Sequence, residues 1–156
     1  NNQPKVGRSG QQIVSDDELF QLAINAGATE QEAVILTAIA IAESGADPGI
    51  DTVQSGTDPD RRYEFSMGLW QINMLDGSRM RRNRIAQLRS QGYQVDDDAS
   101  QLYDPQTNAQ AAINVLRSQG FNAWSVFDSG NGKYRTYRKA AELARARWRM
   151  RQQSQQ

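Results

Sequence analysis

The chain contains neither histidine nor cysteine, and the two absences remove whole classes of chemistry. There can be no Ser-His-Asp or Cys-His nucleophile, no thiolate redox centre, no disulfide framework and no zinc site built from imidazole or thiolate. No cofactor and no metal is therefore expected, and catalysis has to rest on carboxylates, hydroxyls, amides, arginines or the three lysines Lys5, Lys133 and Lys139. Large aliphatic residues are also scarce: Leu, Ile, Val and Phe make up 29 of the 156 residues. With a large net charge that content would indicate disorder, but 18 basic side chains balance 18 acidic ones. Eighteen alanines in helical spacing point instead to a helical core of small residues. Long hydrophobic runs are missing too; the longest, residues 33–42, is about half the ~20 residues needed to cross a bilayer, so no membrane span is expected. No secretory leader is visible and the first residue is Asn, which reads as a fragment or a processed product.

The expected organisation is one domain over residues 13–151, between a flexible N-terminal segment, 1–12, rich in Asn, Gln, Gly and Ser, and a Gln-rich tail, 152–156. Ser15-Asp16-Asp17-Glu18 is a capping box that starts a first helix, stopped at Gly27. Thr29-Glu30-Gln31-Glu32 repeats the box, and the following residues, 33–42, are apolar on nearly every face, the mark of a helix packed on all sides. Residues 44–65 hold too many Gly, Pro, Asp and Thr for a helix and read as a long irregular loop with at most a small hairpin; loops of that length in small domains are commonly functional. An Arg-rich helix is predicted over 80–90. Asp104-Pro105 starts another with Ala109, Ala112, Ile113 and Leu116 as its buried stripe and Gly120 as its stop. Residues 122–127 suggest one turn around Trp124. A last helix over 135–151 should bury Tyr137, Ala140, Ala141, Ala144 and Trp148. The fold class is mainly α, with five to six helices.

Glu43 stands out on physical grounds alone. It ends the most apolar helix, with the partial negative charge of the helix C-terminus beside it and Leu36, Ile39 and Ala40 one or two turns back on the same side. Both surroundings disfavour ionisation, so its pKa should be raised and the acid should hold a proton near neutral pH, able to protonate a leaving group. After the loop, Ser66-Met67-Gly68-Leu69-Trp70-Gln71-Ile72-Asn73 combines a glycine that permits close backbone approach, an indole face suited to a sugar ring, and amide groups suited to an N-acetyl sugar.

Ala42-Glu43-Ser44, the irregular loop and Gly68-Leu69-Trp70-Gln71-Ile72-Asn73 together resemble the lysozyme-like superfamily, in particular lytic transglycosylases and the murein-degrading domains carried in bacteriophage virions. Residues 102–112, with Trp124 and Gly130, resemble the later helices of that group, and the similarity covers roughly residues 19–137. The resemblance implies a lysozyme-like fold with the loop or small hairpin following the catalytic helix. It implies that Glu43 is the general acid and base, that Gln71 contacts the saccharide, and that Ser66, Gly68, Leu69, Trp70 and Asn73 shape the glycan cleft, with Tyr103 and Trp124 as further lining residues. The bond cut would be the β-1,4 link between N-acetylmuramic acid and N-acetylglucosamine of peptidoglycan. The implied setting is a phage virion acting on the host cell wall in the periplasm, with other virion proteins or a larger parent polypeptide as partners, or else a secreted or periplasmic bacterial enzyme.

Retaining glycosidases place a second carboxylate about 5 Å from the acid, and inverting ones place a base at roughly 6.5–9.5 Å. Animal-type lysozymes carry an aspartate two residues before the matching glycine; this chain has Ser66 there. The loop offers Glu64 and Asp58 as candidate second carboxylates, and Glu64 is the better by position. Lytic transglycosylases need one Glu only, which favours that reaction over hydrolysis. A glycan-binding or virion structural module without turnover, and an enzyme for chitin or chitosan, are the rival readings. Residues 133–151 carry a net charge of +7 against −7 for the rest, a polarity that suggests a solvated helix face or contact with an anionic polymer or DNA. Asp96-Asp97-Asp98 lacks the spacing of a calcium loop and reads as solvated, and Gly130-Asn131-Gly132-Lys133 reads as a turn.

Overall fold

Two side-chain caps set the first two helices. Ser15 accepts the Glu18 amide at 3.2 Å and starts α1, Asp16–Asn25. At Thr29 the reciprocal box is complete: Thr29 Oγ1 accepts the Glu32 amide and Glu32 Oε1 accepts the Thr29 amide at 2.9 Å, opening α2, Glu30–Ser44. The computed structural model describes residues 4–128 and 132–155; Gly130 and Asn131 of the expected turn lie outside them, as do residues 1–3 and 156 of the expected flexible ends.

α2 is the axis of the molecule. Ala33, Val34, Leu36, Ala38, Ile39 and Ala40 are buried around its circumference, which is why its sequence shows almost no amphipathic bias. It packs on α1, on α5 (Arg138–Ser154) and on the 3-10 turn Lys133–Tyr137. Phe20 of α1 meets Trp148 of α5 with ring centroids 5.7 Å apart, so the aromatic end of the last helix closes this three-helix layer. α5 starts at Arg138, later than expected, because residues 135–137 belong to the 3-10 turn, and it continues through Ser154 into the expected tail. Ala141 and Ala144 are fully buried, while Tyr137, Ala140 and Trp148 are only half-buried.

The other layer begins with a two-residue hairpin. β1, Ser66–Met67, pairs antiparallel with β2, Ile72–Asn73, in the register Ser66↔Asn73 and Met67↔Ile72. The hairpin thus encloses Gly68 to Gln71 and does not sit inside residues 44–65. Ser78 caps α3, Arg79–Ser90, and Asp104 caps α4, Pro105–Gln119, accepting the Thr107 amide at 3.0 Å. The α4 stripe of Ala109, Ala112, Ile113 and Leu116 is buried. Short 3-10 turns, Ser100–Tyr103 and Phe121–Ala123, flank α4.

Part of the charge polarity of the chain is spent internally. Arg147 and Arg151 of α5 pair with Asp17, and Arg149 pairs with Glu30, so the basic helix meets the acidic first turns of α1 and α2. Asp97 pairs with Arg89, Asp98 accepts the Ser100 amide and Asp96 accepts from Gln101. Among the described residues no helix is long and apolar enough to cross a membrane.

Candidate active site

α2 delivers Glu43 to the surface in its last turn. Ser44 donates from its hydroxyl to the Ala40 carbonyl at 2.8 Å, and Gly45, at φ 62°, turns the chain away in the left-handed region. The Glu43 side chain is left half-buried at the mouth of a cleft, with the apolar body of the helix behind it. Its pKa is raised from 4.5 to about 7, chiefly by burial and then by the negative charge of Glu64, while the Lys133 ammonium works in the opposite direction. Of the two causes that the sequence offers, apolar surroundings and the helix dipole, desolvation is the one that acts most strongly here.

Glu64 faces the same cleft because a short-range lattice of hydrogen bonds presents it. Asp58 accepts the Tyr63 and Glu64 amides at 2.7 and 2.9 Å, which holds the Asp58 carboxyl below its ordinary range. Asp58 is therefore an anchor for the turn that carries Glu64, and it does not line the cleft. Ser66 donates from Oγ to Glu64 Oε2 at 2.8 Å, and its own amide is fixed by Thr52 Oγ1 at 3.0 Å. Glu43, Glu64, Ser66, Gln71 and Ser125 line two adjoining hollows of about 230 and 250 Å³.

The hairpin corner divides into a structural half and a cleft half. Gly68 has φ 76°, and a Cβ there would lie 2.6 Å from the Leu102 carbonyl and collide with the Asn108 amide; it is a packing glycine. Leu69 and Trp70 are fully buried, so the expectation that Trp70 offers its indole to a sugar is overturned. Its Nε1 donates to the Leu36 carbonyl at 2.8 Å, and its own carbonyl accepts from Trp124 Nε1 at 2.9 Å. The indole is consumed in fastening the corner to α2, and no face is left for substrate. Gln71 belongs to the cleft half: it adopts φ 49°, a left-handed conformation that costs a non-glycine residue roughly 1–3 kcal/mol and clusters at functional sites. Its Nε2 donates to the Gly68 and Ile50 carbonyls at 2.9 and 3.2 Å, which leaves Oε1 unused among the described residues. Asn73 borders the cleft, but its Oδ1 accepts the Phe65 and Leu75 amides and locks the hairpin base.

Two further candidates separate in the same way. Trp124 is buried yet contributes to the cleft wall beside Ala123 and Ser125. Tyr103 does not line the cleft; its hydroxyl donates to Asp51 Oδ2 at 2.7 Å, and burial together with that carboxylate raises its pKa. Sequence reasoning missed Asn108 as the organiser of the corner. Fully buried in α4, it donates from Nδ2 to the Met67 and Leu102 carbonyls at 2.9 and 2.8 Å and accepts the Trp70 amide at 2.8 Å. It also missed Ser125, for which only proximity to Trp124 gave a signal.

The cleft continues in both directions. Through Arg84, Val115 and Gln119 it opens into a hollow of about 470 Å³ between α3 and α4; through Ile50 and Ser55 it reaches a hollow of about 330 Å³ beyond Glu43. The α3–α4 hollow is the roomiest but holds no carboxylate, so the reacting groups, not the volume, locate the centre at Glu43.

A family model described as a lysozyme-like domain matches residues 20–126, running from Phe20 in α1 past the Trp124 wall of the cleft. No curated protein and no solved structure matches the chain. With about two thirds of its length in the match, and a half-buried glutamate on a groove at the end of its central helix, the chain belongs to the lysozyme-like domain family, as a glycosidase of peptidoglycan.

Proposed function

We propose that the protein is a lytic transglycosylase in which Glu43 is the single acid and base. The protonated carboxyl of Glu43 gives its proton to the glycosidic oxygen between N-acetylmuramic acid and N-acetylglucosamine as the C1–O bond breaks. The N-acetyl carbonyl of the muramic residue closes on C1 and holds the developing positive charge. The Glu43 carboxylate then takes the proton of the sugar's own 6-hydroxyl while O6 bonds to C1 and displaces the acetamido oxygen. A 1,6-anhydro end is formed and Glu43 is protonated again, so the proton count closes without water. The observation that carries this reading is the Glu43 carboxyl held to about 7 by desolvation on the groove, because one group that must donate and then accept works best with a pKa near the working pH. The Oε1 of Gln71, unused among the described residues, supports it as a partner for a sugar N–H or hydroxyl.

A second reading is hydrolysis with Glu64 as base or nucleophile, and the observation favouring it is that Glu64 lines the same cleft closely enough to shift Glu43. Mass spectrometry of the muropeptides released from purified murein separates the two. Anhydro ends, lighter by one water, support transglycosylation; reducing ends support hydrolysis; a zymogram with no clearing overturns both in favour of a non-catalytic glycan-binding module. The resemblance to virion-borne murein-degrading domains supports a role in opening the cell wall during phage entry.

A further inference from the structure

Residues 5–13 lie outside the family match, which begins at residue 20, yet they are built into the groove. They form a small hairpin: the Gly7 amide donates to the Gln11 carbonyl at 2.8 Å, the Ile13 amide donates to the Lys5 carbonyl at 2.9 Å, and Val6 bridges Gln12. Where the composition suggested a frayed lead-in, Asp47 clamps the chain. This carboxylate, only 2% exposed, accepts from the Ser9 amide at 2.9 Å, from the Ser9 hydroxyl and from the Gly49 amide at 3.1 Å. Contact is close enough to require glycine on both sides: a Cβ on Gly7 would collide with Asp47, and one on Gly49 would come within 2.6 Å of Gln11 Cγ and Ser9 Oγ. The clamped hairpin walls the 330 Å³ hollow that has Glu43 on its lining, Ile13 and Ile50 as apolar surface, and the Ser44 and Ser55 hydroxyl oxygens as polar surface. Arg8 projects there, exposed, with no hydrogen bond or ion pair among the described residues.

We propose that the 5–13 hairpin is the wall of a further substrate site beyond Glu43, in which Arg8 binds a carboxylate on the peptide carried by the murein strand. The inference rests on the murein-cleaving reading of Glu43 and adds selectivity to it. Isoleucine surface suits the apolar face of a sugar ring, and the serine hydroxyls suit its polar edge. Among the described residues, the charged group on the hairpin side of the hollow that has no partner is the Arg8 guanidinium, which matches a carboxylate in a fork of paired hydrogen bonds. A neutral glycan has no such group, whereas peptide-bearing murein does.

The test compares wild type, Arg8→Gln and Asp47→Asn on peptide-bearing murein strands and on the same strands with their peptide carboxylates converted to amides. Arg8 is exposed and unpaired, so Arg8→Gln should fold and melt as wild type. Its KM should rise several-fold on peptide-bearing strands with kcat within twofold, and it should match wild type on the amidated strands. Asp47→Asn, which loosens the hairpin, should reproduce that KM pattern together with a lower Tm. A KM that Arg8→Gln leaves unchanged, or raises equally on both substrates, overturns the inference, as does an Asp47→Asn variant that loses Tm alone. If wild type cuts neither substrate, the reading of Glu43 fails first, a result distinct from an active enzyme indifferent to Arg8.

Discussion

Two glutamates on the same helix, about three turns apart, are driven in opposite directions. Glu32, in the first turn of α2, is held from 4.5 down to about 2, chiefly by the hydrogen bond from Arg117, at 2.6 Å, with further help from the Thr29 amide and from the Arg117 charge. Glu43, in the last turn, is pushed up to about 7 by burial, with a second carboxylate facing it. The helix dipole favours the first anion and disfavours the second. One end of α2 thus uses an ionised carboxylate to stabilise the fold, and the other keeps a carboxyl protonated at a cost to the fold. The site is where stability has been given up.

Glu43→Gln should reduce murein clearing by about 10²–10⁴-fold, the usual contribution of a general acid, measured as release of soluble muropeptides; retained turnover would move the chemistry away from α2. The same variant should be more stable than wild type, and increasingly so as pH rises. A raised acid pKa penalises the folded state once the unfolded Glu43 ionises near 4.5, and the penalty grows until the folded group titrates near 7. At about 1.36 kcal/mol per unit, the gain at pH 8 over pH 4 is no more than about 3 kcal/mol; a pH-independent difference in denaturant melts would contradict the assigned environment.

Glu32→Gln should do the reverse. Loss of the anionic partner of Arg117, in an ion pair largely screened by solvent, should cost up to about 1 kcal/mol at pH 7, since the Gln side-chain oxygen still accepts the Thr29 amide, with clearing activity unchanged. Because the folded Glu32 pKa is depressed, its contribution is complete above about 4.5 and disappears as pH falls toward 2, so wild-type and variant melts should converge in acid. Glu64→Gln should have the smallest effect if Glu43 works alone: anhydro products persist, and the alkaline limb of kcat/KM moves to lower pH because a charge that raises Glu43 is gone. Abolished turnover in this variant would sharpen the comparison differently, making Glu64 a second reacting carboxylate.

Most helix starts were legible because caps are local: Ser15, Thr29 and Asp104 each reach an amide three residues ahead. Glu43 was legible for a related reason, since an apolar helix ending in a lone acid is visible within one stretch of sequence. Trp70 was misread because its partners are distant, Leu36 lying 34 residues away and Trp124 lying 54. A tryptophan beside glycine and glutamine has the same sequence signature whether its indole meets a sugar or a helix carbonyl. The threefold use of Asn108 was hidden similarly, its contacts to Trp70 and Met67 spanning 38 and 41 residues. The ordered hairpin at residues 5–13 was invisible to composition, because polar residues that appear unstructured become fixed when a buried carboxylate such as Asp47 supplies their acceptor.

By itself the sequence determined what the chemistry could not be, through the missing His and Cys, and which helix would carry a desolvated acid, through the all-round apolar pattern of residues 33–42. Only the tertiary structure decided that Glu64 rather than Asp58 faces Glu43, that Trp70 fastens the corner while Gln71 opens to the groove, and that Arg8 stands at the far end of it. Helical pattern and capping act over a few residues and are written along the chain, whereas desolvation, charge coupling and groove shape depend on distances through space that packing alone sets.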